Sequence, residues 1–96
     1  MEQPKQIRIT PAAQEKMKQL KVPGQEFKVL MLNNSWSGPE FRLVQTADLG
    51  EDTIPFQSGE VTVYLDRQTL PYIDILDIGL FVAYGEEVFL VEENLI

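Results

Sequence analysis

Short segments of alternating apolar and polar residues, separated by turn-forming residues, restrict the possible folds of this chain more than any other feature. IRIT (7–10), EFRLVQT (40–46) and VTVYL (61–65) have the two-residue period of a half-buried strand. EFKVLMLN (26–33) predicts a mostly buried strand. IDILDI (73–78) predicts another, and LFVAYGEEVFLV (80–91) predicts a hairpin that turns at YGEE. The sequence therefore predicts a mainly β domain of the α+β class.

Two helical segments interrupt this pattern. In TPAAQEKMKQL (10–20), Thr10 is suited to the N-cap and Pro11 to the first helical position. The apolar residues at helical spacing on one face of this N-terminal helix are Ala13, Met17 and Leu20. DRQTL (66–70) predicts one short helical segment, capped by Asp66 and limited by Pro71.

Composition limits the chain to one small domain, assigned to residues 1–96, and excludes much chemistry. Ninety-six residues with 44% hydrophobic content are enough for a single core. The absence of cysteine and histidine leaves no thiolate or imidazole for zinc, haem or iron-sulfur ligation, and no cysteine-histidine or serine-histidine-aspartate catalysis. We therefore predict that the chain is not an enzyme and holds no cofactor or metal ion.

The charge distribution argues against nucleic acid as a partner. Residues 1–28 carry a net charge of +3 and residues 29–96 a net charge of −10. Phosphates would be repelled by most of such a surface, and few cations are present to release counterions. No apolar run reaches the roughly 20 residues that span a bilayer, and the start MEQPKQIRIT lacks the apolar middle of a signal peptide. These features predict a cytoplasmic protein that binds neither nucleic acid nor membrane.

The order of the segments resembles that of the HesB/IscA-like family, the A-type iron-sulfur carriers. The resemblance covers about residues 7–94. It rests on IRITPAAQEKMKQL, EFKVLML, the loop SWSG that continues into FRLV, the turn QSGEVTVYLD, and TLPYID before a closing hairpin. For the fold, it implies a small twisted β-sandwich with an N-terminal helix and one short helix.

The resemblance also shows what this chain lacks. The carriers of the family hold iron or a cluster through one cysteine in a Gly-Cys-Ser-Gly loop and two in a Cys-Gly-Cys tail. Trp36 stands where the loop cysteine is expected, and the sequence stops at Ile96, two residues after the Asn94 that matches the start of the family's Asn-Pro-Asn. All three ligands are missing, so we expect the fold to persist without cluster binding.

The loop around the only tryptophan is the candidate binding site. An indole offers a flat apolar face and one N–H donor, and tryptophan is enriched at binding hot spots. Trp36 could stack on a partner protein or ligand, or fold back onto the sandwich and fill the space of the missing metal site. The residues of this candidate partner-binding loop are Asn34, Ser35, Trp36, Ser37, Gly38 and Glu40.

Two further readings concern the acidic and aromatic residues. Carboxylates recur in pairs, which is typical of a solvated surface, but hard cations also bind through such oxygens. An alternative function is therefore binding of a small molecule or hard cation by acidic side chains near the Trp36 loop. Most tyrosines and phenylalanines occupy strand positions, where packing in the core is the default.

A homodimer paired through a sheet edge is a further expectation, because five or more strands in so short a chain leave edges to protect.

Overall fold

The computed structural model describes residues 6–32 and 39–94. The elements in chain order are β1 (Gln6–Ile9), α1 (Pro11–Leu20), β2 (Glu26–Leu32), β3 (Glu40–Thr46), β4 (Thr53–Ser58), β5 (Val61–Asp66), a 3-10 helix (Arg67–Tyr72), β6 (Ile75–Ala83) and β7 (Glu86–Asn94). The mainly β architecture with one N-terminal helix and one short helix, expected from the sequence, is confirmed.

The strands form two mixed sheets. One has the order β1-β6-β7 and the other the order β3-β2-β5-β4. β1 runs parallel to β6, and β2 runs parallel to β5, whereas the other neighbours are antiparallel. Along the sides of the sandwich, β3 contacts β7 and β1 contacts β4. The edge strands of the two sheets therefore lie next to each other, and pairing of two copies through an edge stays a prediction.

One apolar core joins both sheets and the helix. Alternate residues of each strand point inward, so that Val61, Val63 and Leu65 of β5 are buried as their spacing predicts. Leu76 and Ile78 cover them from β6 in the other sheet. The remaining buried apolar residues are Ile7, Ile9, Ala13, Met17, Phe27, Val29, Phe41, Leu70 and Ile73.

The helix begins as its sequence predicts, but its last turn faces solvent. Thr10 is the N-cap, with its Oγ1 accepting a hydrogen bond from the Ala13 N–H at 3.1 Å. Ala13 and Met17 are buried, whereas Leu20 is exposed. The prediction that Leu20 shares the buried face is thus wrong, because the helix ends at this residue, beyond the turns that cover the core.

Two other boundaries differ from the prediction. The 3-10 helix continues through Pro71 to Tyr72, because the fixed φ of proline matches that of a 3-10 turn. Asp66 stands at its N-cap without a side-chain capping bond, since its carboxylate pairs with Lys28 instead. β6 passes through Gly79 without a break, because Gly79 stays in register opposite Leu90.

Candidate functional site

The Trp36 loop connects β2 and β3 at one end of the four-stranded sheet. Leu32 and Glu40 are the last cross-strand pair before it, so residues 33–39 join two antiparallel strands. β3 is an edge strand, so this end of the hairpin has a neighbouring strand on one side only. Of the predicted site residues, Asn34, Ser35, Trp36, Ser37 and Gly38 lie outside the described residues, and Glu40 alone lies within them.

The described residues next to this loop combine charged side chains with one apolar side chain. Glu40 is exposed at the start of β3, and its Oε2 lies 4.0 Å from Nη2 of the exposed Arg42. Leu32 is exposed on the same outward face of the hairpin, because it pairs directly with Glu40. A partner that covers this end of the sheet would meet one apolar side chain beside a carboxylate and a guanidinium.

The outer side of the same sheet carries a buried ammonium group. Lys28 lies on β2 between two inward-facing residues, Phe27 and Val29, and therefore points outward. The segment between β3 and β4 covers it: Lys28 Nζ donates to the Leu49 carbonyl at 2.7 Å and lies 3.1 Å from Asp66 Oδ1. The ammonium is used inside the fold, where it joins two strands and a loop, and it is not available to a ligand.

Three of the paired carboxylates in the sequence form surface ion pairs. Asp52 pairs with Arg67 at 3.1 Å, and Glu87 pairs with Lys16 at 3.4 Å. Asp77 lies on β6, the central strand of its sheet, and binds Arg8 through both carboxylate oxygens. Within residues 6–32 and 39–94, no group of three or more acidic side chains is arranged to hold a metal ion.

A further surface cluster, formed by Lys18 with two glutamates, shifts the pKa values of Lys18 and Glu60. The Lys18 ammonium lies 2.5 Å from Glu60 Oε2 and 3.2 Å from Glu15 Oε2. The hydrogen bond from Lys18 lowers the pKa of Glu60, and the hydrogen bonds to Glu60 and Glu15 raise the pKa of Lys18. This cluster ties the helix to the β4–β5 turn, which is a structural role.

Three aromatic residues do not pack in the core, contrary to the prediction for most tyrosines and phenylalanines. Phe27 and Phe41 are buried, but Tyr72, Phe81 and Tyr84 are exposed. Tyr84 lies at the tip of the β6–β7 hairpin, where Ala83 pairs with Glu86 and leaves a two-residue turn. The exposure of Tyr84 could have been predicted from the sequence, because a hairpin turn at YGEE places its first residue, Tyr84, outside the strand.

Comparison with solved structures places this geometry among known folds. Escherichia coli SufA, which is involved in biosynthesis of iron-sulfur clusters, matches with a TM-score of 0.78 and 19% sequence identity over 92% of this chain and 80% of SufA. IscA, solved with its [2Fe-2S] cluster, matches with a TM-score of 0.74 and 15% identity over 91% of this chain and 84% of IscA. The fold is that of SufA and IscA.

A third structure agrees with these two. A protein from Aquifex aeolicus matches with a TM-score of 0.64 and 18% identity over 98% of this chain and 99% of that protein. No family model matches the sequence, and no curated protein matches it significantly. The fold implied by the resemblance to the HesB/IscA-like family is therefore confirmed by structure. None of the helices in the described part of the chain has the length and apolar character needed to cross a membrane.

Proposed function

We propose that this chain is a non-enzymatic, HesB/IscA-like protein, related by descent to iron-sulfur biogenesis proteins, that acts by binding another protein and not by carrying a cluster. One observation carries the proposal: the chain has the fold of SufA and IscA, yet its 96 residues include no cysteine. Iron-sulfur clusters are held in proteins mainly by cysteine thiolates. Because this chain keeps the fold but lacks the cluster ligands, we infer that it acts through its surface, by contact with another protein.

The contact surface in this proposal is the loop from Asn34 to Glu40. It joins β2 to β3 in the sequence, and the described residues beside it include the exposed Leu32, which pairs with Glu40, and the exposed Arg42. Trp36 supplies a large amphipathic side chain of the kind that forms binding hot spots. Such an anchor flanked by charged groups fits the usual layout of an apolar centre with a polar rim.

Affinity purification from cells of the native host tests the proposal. Tagged wild-type protein, Trp36→Ala and Tyr72→Ala are compared after mild cross-linking. Tyr72→Ala is the matched control, because Tyr72 is an exposed aromatic residue of a different element. We expect a partner that is recovered with wild type and Tyr72→Ala and lost with Trp36→Ala. Recovery of the same proteins with all three variants contradicts the proposal.

The fluorescence of the single tryptophan distinguishes the two positions that the indole can take. A water-exposed Trp36 has red-shifted emission that acrylamide quenches efficiently, and Trp36→Ala then leaves the free energy of unfolding nearly unchanged. An indole packed on the sandwich gives blue-shifted, protected emission. In that case Trp36→Ala costs about 3 kcal/mol or more, as for other buried aromatic residues, and the loop is not the contact surface.

A further inference from the structure

The outward side of the β6–β7 hairpin is an apolar surface with two acidic residues at one end. Leu76 and Ile78 of β6 point into the core, so the alternate residues of β6 and their β7 partners point outward. This hairpin face consists of Asp77, Gly79, Phe81, Val88, Leu90 and Glu92.

The apolar centre of the hairpin face is accessible. Phe81 is 44% exposed and Leu90 is 41% exposed. Gly79 has no side chain, and a depression of about 360 Å³ lies over it, lined on its sides by Arg8, Leu90 and Glu92 among others. Neighbouring exposed apolar side chains beside a depression are typical of an interaction surface.

The charged side chains of the hairpin itself are all acidic. Residues 75–94 include five acidic residues and no lysine or arginine. Asp77 and Glu92 are directly opposite each other across β6 and β7, an arrangement that destabilises a sheet unless cations compensate. Arg8 supplies one cation, through its ion pair with Asp77. Glu92 has no ion pair with any residue in the described ranges. A second cation beside Glu92 would therefore compensate its charge, as Arg8 compensates that of Asp77.

We propose that the hairpin face binds a basic, apolar segment of another protein. A lysine or arginine of that segment lies over Gly79, with its aliphatic part against Leu90 and its charge beside Glu92. An apolar neighbour covers Phe81. Lysine and arginine are suited to this position because their stems pack on apolar surface while the charge stays in water.

Charge complementarity selects this occupant over a second copy of the chain. A two-fold contact brings the same patch of both copies together, and the hairpin face would then set Glu92 and Asp77 against another acidic surface. The proposal is independent of the Trp36 loop, because the hairpin face belongs to the other sheet.

Nuclear magnetic resonance titration of the full chain tests the proposal. The probe is a short synthetic peptide of alternating leucine and lysine, and the matched probe has glutamate in place of each lysine. We expect the lysine peptide to shift the backbone amides of residues 77–92, with weaker binding at higher salt, and the glutamate peptide to leave them unchanged. Equal shifts with both peptides, shifts centred on another surface, or no shifts at all overturn the proposal.

Substitutions separate a specific surface from general attraction to an acidic protein. Phe81→Ser and Leu90→Ser each weaken binding about tenfold, since each removes an apolar contact. Glu92→Gln weakens it about threefold. The control Glu51→Gln leaves it unchanged. Leu90→Ala replaces Leu90→Ser if the serine variant fails to fold. Equal weakening by Glu92→Gln and Glu51→Gln, or no effect of the apolar substitutions, overturns the proposal.

The free protein supplies the last comparison. If the amides of residues 77–92 shift with protein concentration in the absence of peptide, a second copy occupies the hairpin face and the proposal is wrong. Constant shifts over the same concentration range leave the face free for the basic segment, as we expect.

Discussion

The ammonium of Lys28 and the carboxylate of Asp66 lie 3.1 Å apart on the outer side of the four-stranded sheet, where the Lys28 side chain is 10% exposed and that of Asp66 is 30% exposed. Lys28 Nζ also donates to the carbonyl of Leu49, which fixes the loop between β3 and β4. A charged group so well covered depends on both partners, because water cannot replace either of them.

We predict that Lys28→Met lowers the free energy of unfolding by about 1–3 kcal/mol. The methionine keeps the length of the apolar stem but leaves the Leu49 carbonyl and the Asp66 carboxylate without their donor. Urea unfolding followed by circular dichroism measures the change. Lys16→Met is the control, because the pair of Lys16 with Glu87 is more exposed, and it changes the value by less than about 1 kcal/mol. An equal loss in both variants contradicts the prediction.

The Lys28–Asp66 contact shows where local sequence patterns stop being informative. The pattern around Asp66 predicted a helix cap, which requires only neighbouring residues. The observed partner is 38 positions away in the sequence and becomes available because β2 and β5 pair in parallel, with Lys28 opposite Tyr64. Spacing of apolar residues identified β2, β3 and β5, but it contains no information on which strands become neighbours.

The elements with strong local signals were predicted well. Thr10 and Pro11 correctly predicted the start of α1, and the alternation of apolar and polar residues correctly predicted β3 at Glu40–Thr46. The surface around Phe81 was not foreseen, since exposed and buried aromatic residues in strands look alike until the facing sheet is known. For the candidate site, the sequence identified a loop between two strands, and of the named residues Glu40 alone lies in the described part of the chain.

Gln45 provides a second test of long-range contacts. Its Oε1 accepts a hydrogen bond from the Val22 N–H at 2.8 Å, and its Nε2 donates to the Leu20 carbonyl at 2.8 Å. The amide thus binds the end of α1 from β3. We predict that Gln45→Glu costs about 1–2 kcal/mol of stability, because it removes the donor and places a negative charge at the negative end of the helix dipole.

Thermal or urea unfolding of Gln45→Glu measures this loss. Gln57→Glu is the matched control, since Gln57 makes only an exposed bond at 3.2 Å to the nearby Gly59 carbonyl. We expect the control to change stability by less than about 0.5 kcal/mol. If Gln45→Glu is as stable as the wild type at neutral pH, the contact with α1 does not hold the end of the helix.

The ion pair of Lys18 with Glu60 predicts a pH dependence. The pKa of Glu60 is lowered from its ordinary value of 4.5 by the hydrogen bond from Lys18. The group therefore contributes stability that is present above pH 4.5 and is lost as the pH falls through the lowered pKa. Because Glu60 is exposed, we expect a small effect, visible as a difference between variants.

Thermal unfolding of wild type and Glu60→Gln across the acid range measures that difference. We expect the wild type to be the more stable protein at neutral pH and the two curves to converge at the acid end. Glu51→Gln is the control for the loss of one surface carboxylate, because Glu51 forms no ion pair with a residue in the described ranges, and we expect it to leave the stability at neutral pH unchanged. A constant difference between wild type and Glu60→Gln at every pH contradicts the assignment.

Cluster chemistry follows from the donor set. The chain offers carboxylates, hydroxyls, amides and the thioethers of three methionines, but no thiolate. We predict that anaerobic reconstitution with iron and sulfide leaves the desalted protein without visible absorption, while IscA treated in parallel acquires a cluster. A persistent band with stoichiometric iron contradicts this. Trp36→Cys alone does not rescue binding, since one thiolate per chain is too few unless a symmetric assembly joins several copies.

The turn between β6 and β7 predicts a substitution that stabilises the protein. Tyr84 has a φ of 54° and Gly85 a φ of 79°, the left-handed pair that a two-residue hairpin turn requires. Glycine and asparagine adopt this backbone more readily than tyrosine, and the fully exposed Tyr84 side chain has little packing to offset the strain. We predict that Tyr84→Asn raises the free energy of unfolding by about 0.5–1 kcal/mol.

Urea unfolding measures this gain, with Tyr72→Asn as the control. Tyr72 is also an exposed aromatic residue, but its φ is not positive, so its replacement gives no gain. A loss of stability in Tyr84→Asn means that the Tyr84 side chain packs against the protein in solution, contrary to its exposure here. A gain means that tyrosine at this position lowers stability. Strain of this kind is concentrated at functional sites, and Tyr84 adjoins the hairpin face that we propose as a binding surface.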